Sequence, residues 1–257
     1  MIDSILTAGL TIAVFMVIVF IIAQAIKNNS IVDIGWGLGF IATALVLLFT
    51  KGQFNNYNFV FVSMILIWGL RLALHIFLRA RGKGEDFRYA QWRKEWGKNA
   101  AVKAFFKVFV LQGIIMLIVA LPIIIVFSSA KNQLNIFSLT GFLIFAFGFL
   151  FESIADFQLH CFKKNPENKG KIITSGLWKY TRHPNYFGEA VLWWGIAIFT
   201  IGAENYIISF IGPIVINLLL VFVSGVPLLE KKYTGNIEWE EYKKITPAFV
   251  PVFGKKG

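Results

Sequence analysis

The stretch Ile136–Phe157, IFSLTGFLIFAFGFLFESIADF, runs for 22 residues in which only Glu152 and Asp156 carry charge. A helix crosses a bilayer in roughly 17–25 mostly apolar residues. The run is far too long for a strand and does not alternate with period two, so it reads as a spanning helix and not as part of a barrel. Six further runs read the same way: Ile5–Ile26, Ile34–Thr50, Asn58–Leu78, Val108–Phe127, Tyr186–Ala203 and Tyr206–Leu229. The whole chain of 257 residues is 57% hydrophobic and 15% charged, with mean hydropathy +0.67. A soluble domain carries about 25% charge to keep its surface wet. The one cysteine, Cys161, excludes a disulfide framework. The expectation is an all-α integral membrane protein with seven transmembrane helices. The first run has no Lys or Arg before it and no small-residue cleavage site after it, so it reads as a retained helix.

The cations set the topology. Segments 79–105, 158–186 and 230–257 hold eight, six and six of the 25 lysines and arginines. Loops 51–57 and 128–135 hold only Lys51 and Lys131, and 204–205 holds none. The positive-inside rule makes 79–105 and 158–186 cytoplasmic loops and 230–257 a cytoplasmic tail. Seven spans then leave the N-terminus outside and the C-terminus cytoplasmic. With neither repeat nor low-complexity linker, 1–257 reads as a single membrane domain. The net charge of +11 is therefore one-sided. It serves topology and attraction to anionic membrane lipid, or it also binds a polyanionic ligand. No nucleic-acid recognition module is present, and no obligatory protein partner is evident.

Ionisable residues inside a span are costly and point to function. Residues three or four apart share a helix face. The third span carries Trp68, Arg71, His75 and Arg79 on one face, and the fifth carries Glu152, Asp156, His160 and Lys163. The first stripe also fits packing with a snorkelling Arg79. The second also fits a salt-bridge ladder, although Glu152 and Asp156 are like charges on adjacent turns. The sixth span opens with Asn185, Tyr186 and Glu189, leading to Trp193; Glu189 is either functional or an answer to the helix dipole. Asp33, ahead of Ile34-Gly35-Trp36-Gly37, is either a cap or an inward-facing carboxylate. Together these stripes predict a cavity open to the cytoplasm and mouthed by the basic loops.

Residues 174–189 read TSGLWKYTRHPNYFGE. Gly176 allows a turn with positive φ. Trp178 and Tyr180 read as interfacial aromatics, and Pro184 suits a first helical turn. Arg182 with the free N–H groups of that turn makes an anion site.

This stretch resembles the C-terminal signature of the membrane steroid 5α-reductase superfamily, which includes the sterol C14 and delta-7 reductases. Glu152–Lys164, and the tail with Glu238, Tyr242 and Pro251, resemble the neighbouring segments of that superfamily. The bacterial branch labelled a domain of unknown function (DUF1295) is similar at VDIGWG, here Val32–Gly37, and at GKGEDFRY, here Gly82–Tyr89. The resemblance implies a seven-helix bundle holding NADPH in a cytoplasm-facing cavity, with a lipophilic enone or steroid arriving from a bacterial inner membrane. It implies cofactor contacts at Asp156, Lys163, Lys171, Asn185, Glu189 and Tyr233. Glu152, Arg79, Tyr180, Arg182, His183 and Tyr186 complete the expected cofactor set. Lys171 stands where the steroid enzymes have Arg, and Glu152 where they have Asn. Those enzymes polarise substrate with a carboxylate on the second span and a Tyr on the third. The third span here, at His75-Ile76-Phe77, has no Tyr in register, leaving Asp33, His75 and Tyr89 as the nearest catalytic candidates.

The implied reaction is NADPH-dependent reduction of the C=C bond of a lipophilic α,β-unsaturated ketone, as by a 3-oxo-5α-steroid 4-dehydrogenase. No Gly-x-Gly-x-x-Gly fingerprint follows a strand, so the bundle itself must hold the cofactor. The rival reading is an S-adenosylmethionine-dependent isoprenylcysteine or lipid methyltransferase, a group with a similar Arg-His-Pro-x-Tyr signature; a non-catalytic lipid-binding scaffold is the other. His75, His160, His183 and Cys161 lack ligand spacing, so no metal is expected. Cys161 reads as a buried thiol.

Overall fold

In the computed structural model the described residues are 1–130, 132–231 and 233–253. Lys131, Lys232, Lys255 and Lys256, counted above among the cations, lie outside them. The regular elements among the described residues are helices, beside one isolated bridge between Ile201 and Ala203. Six helical runs are long and apolar enough to cross a membrane: Ile2–Ala25, Ile31–Lys51, Asn56–Ala80, Phe87–Val119, Ile136–Lys164 and Tyr206–Lys231. The chain is an integral, multi-pass membrane protein.

Two expected spans come out differently. The run Val108–Phe127 breaks at Ala120, because Pro122 has no N–H to donate and its ring would strike the carbonyl four residues back. The helix ends at Val119, and a new one, Leu121–Ser128, takes Pro122 into its first turn. The run Tyr186–Ala203 becomes the helix Pro184–Phe199, of 16 residues. That is about 24 Å at ~1.5 Å per residue, short of the roughly 30 Å hydrocarbon layer. It stops where Thr200 meets a turn built on Gly202 at φ +111. Six described helices, not seven, reach spanning length.

The chain divides into two compact units. The first comprises Met1–Asn135 and Thr200–Gly212. Its helices are α1 (Ile2–Ala25), α2 (Ile31–Lys51), α3 (Asn56–Ala80), α4 (Phe87–Trp96), α5 (Ala100–Ala104), α6 (Leu111–Val119) and α7 (Leu121–Ser128). A π-helical stretch, Phe105–Val110, joins α5 to α6. α1 buries one stripe, Ser4, Ala8, Ile12, Met16, Val19 and Ala23, and exposes Leu6, Leu10, Val14 and Ile21. That distribution is stable when the surrounding solvent is hydrocarbon. α2 and α3 cross closely: a Cβ added at Gly69 would lie 2.7 Å from the Gly37 carbonyl oxygen.

The second unit comprises Ile136–Phe199 and Pro213–Gly257. It holds α8 (Ile136–Lys164), α9 (Pro184–Phe199), α11 (Val226–Lys231) and α12 (Ile237–Ile245), while α10 (Ile211–Leu218) begins at the boundary. α8 and α9 meet on four glycines seven apart along each helix, Gly141 and Gly148 against Gly188 and Gly195. A Cβ at Gly148 would lie 2.5 Å from the Leu192 nitrogen, and one at Gly188 2.5 Å from the Glu152 nitrogen. Backbones this close bring the polar end of α8 against the first turn of α9.

Candidate functional site

The sequence-predicted residues gather in two clusters, one per unit. In the first unit, Ser30 occupies the N-cap position of α2 and Asp33 lies inside its first turn. Asp33 is not a cap; its carboxylate turns to α4. Tyr89, buried at 3% exposure, donates its hydroxyl to Asp33 Oδ1 at 2.6 Å. Arg88 Nη2 donates to Asp33 Oδ2 at 3.0 Å, and its Nε to Asp86 Oδ1 at 2.9 Å. Gln112, two residues beyond the π-helical stretch, donates from Nε2 to the Tyr89 oxygen at 3.4 Å. The motifs VDIGWG and GKGEDFRY, separate in sequence, thus meet through their chemistry.

α4 is held at this spot by a second set of bonds. Glu85 receives Arg93 Nη2 at 2.8 Å and Nε at 2.9 Å, and accepts the Asn29 backbone N–H at 2.6 Å. Burial works to raise the Glu85 carboxyl, but these donors outweigh it and hold the group below the usual glutamate range. Sequence reasoning missed Gln112, Glu85 and Asn29. The acidic residues of Gly82–Tyr89 were a signal, since two carboxylates inside so basic a loop need partners.

The third-span stripe grades from inside to outside. Trp68 is fully buried, Arg71 and His75 are half-buried, and Arg79 is exposed.

In the second unit, Glu152 is 2% exposed and Asp156 is 6% exposed. Asn185 Nδ2 donates to Asp156 Oδ1 at 3.1 Å, while the buried Asn185 Oδ1 has no hydrogen-bond partner among the described residues. Tyr186 and Glu189 are half-buried on the same helix, and Lys163 and Lys171 are exposed. Among the described residues no group of three His, Cys, Asp or Glu side chains could hold a metal.

Several residues of the RHPNY segment differ from expectation. Arg182 does not face out as an anion site. Its Nε and Nη2 both donate to Glu230 Oε1 at 2.9 Å, and Nη1 donates to the Thr246 carbonyl. His183 Nε2 lies 3.1 Å from the same Glu230 oxygen, and the ring stacks on Tyr186. Trp178 is buried instead of interfacial, its indole N–H donating to the Ala155 carbonyl at 3.2 Å. Tyr180 packs on Phe253, and Tyr233 stacks on Trp239 with ring centroids 4.7 Å apart. Cys161 is exposed, not buried, because it falls on the outer face of the last turns of α8.

The tail closes over this segment. Thr181 Oγ1 donates to the Phe249 carbonyl at 2.9 Å, Arg182 N to the Pro247 carbonyl at 2.9 Å, and Tyr242 to the Trp178 carbonyl. Burial raises the Tyr242 hydroxyl above the ordinary tyrosine range. Glu230, the anchor of the latch, was missed in sequence; an acid opening a lysine-rich tail was its only signal. Gly176 has the expected positive φ, at +62°.

A family model described as "Protein of unknown function (DUF1295)" matches residues 19–246. The chain belongs to the DUF1295 family. Over 71 residues it is 39% identical to a probable O-methyltransferase, ustE, of Ustilaginoidea virens. That match covers 28% of this chain and 25% of the relative, so the chain spans about a quarter of the length of the curated relative it matches. No solved structure matches the chain.

Proposed function

We propose that this protein is a membrane oxidoreductase that reduces the C=C bond of a lipophilic α,β-unsaturated ketone with NADPH. The observation that carries the reading is the buried Tyr89 hydroxyl held 2.6 Å from the Asp33 carboxylate. It is a carboxylate and a phenol in contact, the pair such chemistry needs, although the Tyr comes from α4 and not from the third span. Negative charge develops on the ketone oxygen as the β-carbon accepts a hydride. A donor aimed at that oxygen in a dry site lowers the barrier. Tyr89 is the donor, its hydroxyl turning from Asp33 to the ketone oxygen when substrate binds, and Arg88 holds Asp33 from the other side.

The second cluster suits a nicotinamide coenzyme in its donors and acceptors. The orphaned Asn185 oxygen is a buried acceptor for a carboxamide N–H. Asp156 and Glu189 accept from ribose or amide groups, and the exposed Lys163 and Lys171 suit phosphates. When bound, the coenzyme supplies the hydride. The α-carbon takes its proton from water, and the product gains two hydrogens. Arg182 and His183 shape the site from behind through Glu230 instead of touching phosphate. This reading keeps a seventh, short span at α9, a cytoplasmic C-terminus and a bacterial inner membrane.

A second reading, methyl transfer from S-adenosylmethionine to a lipid, has one observation in its favour: the partial similarity to a probable O-methyltransferase. It is also consistent with Arg182 being bound internally, since that cofactor has no phosphate to neutralise. The test is thermal unfolding of the purified protein with NADPH or with S-adenosylmethionine. NADPH oxidation with a panel of lipid enones and mass analysis of products follows. Stabilisation by NADPH with a product two hydrogens heavier supports the reductase. Stabilisation by S-adenosylmethionine alone overturns it.

A further inference from the structure

We infer that α4 is an interfacial helix that binds anionic phospholipid headgroups through the lysines at and beyond its C-terminal end. The helical run Phe87–Val119 counts 33 residues, about 50 Å at ~1.5 Å per residue, well beyond the roughly 30 Å hydrocarbon layer. Gly97, at φ +52 and ψ −127, breaks it. The part beyond the break, Ala100–Val119, is about 30 Å long, long enough to cross the layer with Lys103 in its first turn reaching back to the headgroups. α4, with the sequence FRYAQWRKEW, is therefore surplus to the span and is redirected where the chain leaves it.

Its orientation is fixed before any lipid binds. Tyr89 and Arg93 face inward, onto Asp33 and Glu85. Trp92 packs edge-on against Tyr89 and stacks on Trp96, which places an indole pair beside the polar side chains. Trp92 is 39% exposed and Phe87 61% exposed. An exposed indole favours the headgroup level. Lys94, Lys98 and Lys103 are exposed and make no ion pair among the described residues. Exposed cations beside rigid interfacial aromatics complement a phosphate-bearing surface, and each lysine near such a surface is worth about fivefold in association. The inference is independent of the reductase reading.

The full chain is reconstituted in nanodiscs containing brominated phosphatidylglycerol or brominated phosphatidylcholine, and tryptophan quenching is measured. A Trp92→Phe/Trp96→Phe variant isolates the contribution of the pair. The expected result is a tenfold or greater preference of that pair for phosphatidylglycerol at low salt. The preference falls at high salt and vanishes in Lys94→Gln/Lys98→Gln/Lys103→Gln. Native mass spectrometry of the delipidated wild type and the triple lysine variant repeats the comparison without altering a tryptophan. Equal quenching by both lipids, or an undiminished preference in the triple variant, overturns the inference.

Discussion

Tyr89 donates its hydroxyl to Asp33 Oδ1 across 2.6 Å, joining residues 56 positions apart. The pair is closed on both sides, by Gln112 on the Tyr89 oxygen and by Arg88 on the second Asp33 oxygen. Polar groups committed to each other inside an apolar bundle are a costly arrangement, and function is the default reason for one.

Removing the donor tests that. Tyr89→Phe is expected to lower NADPH-dependent enone turnover by about 10²–10³, with NADPH still raising the unfolding temperature. Asp33→Asn is expected to act similarly, and the double variant to lose little more than either single one, because the two residues work as a unit. Steady-state rates and thermal shifts on the same preparations check it. Full turnover in Tyr89→Phe would remove the pair from the chemistry.

The Arg182–Glu230 contact is expected to be structural. Arg182→Leu leaves the half-buried Glu230 with only His183 beside it, a loss of up to about 3–5 kcal/mol, the cost of breaking a fully buried pair. Thermal unfolding should fall accordingly, and limited proteolysis should cut the released tail near α12. A variant as stable and as protease-resistant as the wild type would show that the latch carries no load.

Acid sensitivity follows from Glu85. Its folded value lies below the ordinary 4.5 because Arg93 and the Asn29 N–H favour the charged form despite burial. The stabilisation is therefore complete above about pH 4.5 and is lost as the pH falls through the lower folded value. Glu85→Gln is expected to lower stability at neutral pH and to flatten the acid limb below about pH 4.5. Tyr242 gives the opposite limb. Its hydroxyl is raised by burial, so its contribution is present below about pH 10 and fades above it. Unfolding temperature against pH, with each variant, reads both.

The glycine crossing of α8 and α9 sets how near Asn185 lies to Asp156. A Cβ at Gly188 would meet the Glu152 backbone at 2.5 Å, and backbone cannot rotate away. Gly188→Val is expected to cost at least the 1–3 kcal/mol typical of overpacking, and cofactor affinity should fall together with stability. Gly84→Ala, where a Cβ meets nothing within 4 Å, should change neither.

The RHPNY segment illustrates what could be read in advance. Pro184 at a helix start and Gly176 at a positive φ are local demands of the backbone, and both are met. Arg182 was misjudged because a cation next to free N–H groups reads as an anion site. Its actual partner, Glu230, lies 48 residues away, and nothing local marks it. Trp178 was misjudged for the same reason: its burial depends on the Ala155 carbonyl of another helix.

By itself the sequence determined that hydrocarbon is this protein's solvent, that its elements are helices, and roughly where each begins. Those properties depend on composition and on the 3.6-residue repeat, which act within a single segment. It also marked Asp33, Asp156 and Glu189 as charges in the wrong medium. Only the tertiary structure decided which partners Asp33 and Asp156 have, that Tyr89 comes from α4, and that α9 is only 16 residues long. Those outcomes depend on where helices cross and how closely their glycines let them approach, and no periodicity within one helix encodes the position of another.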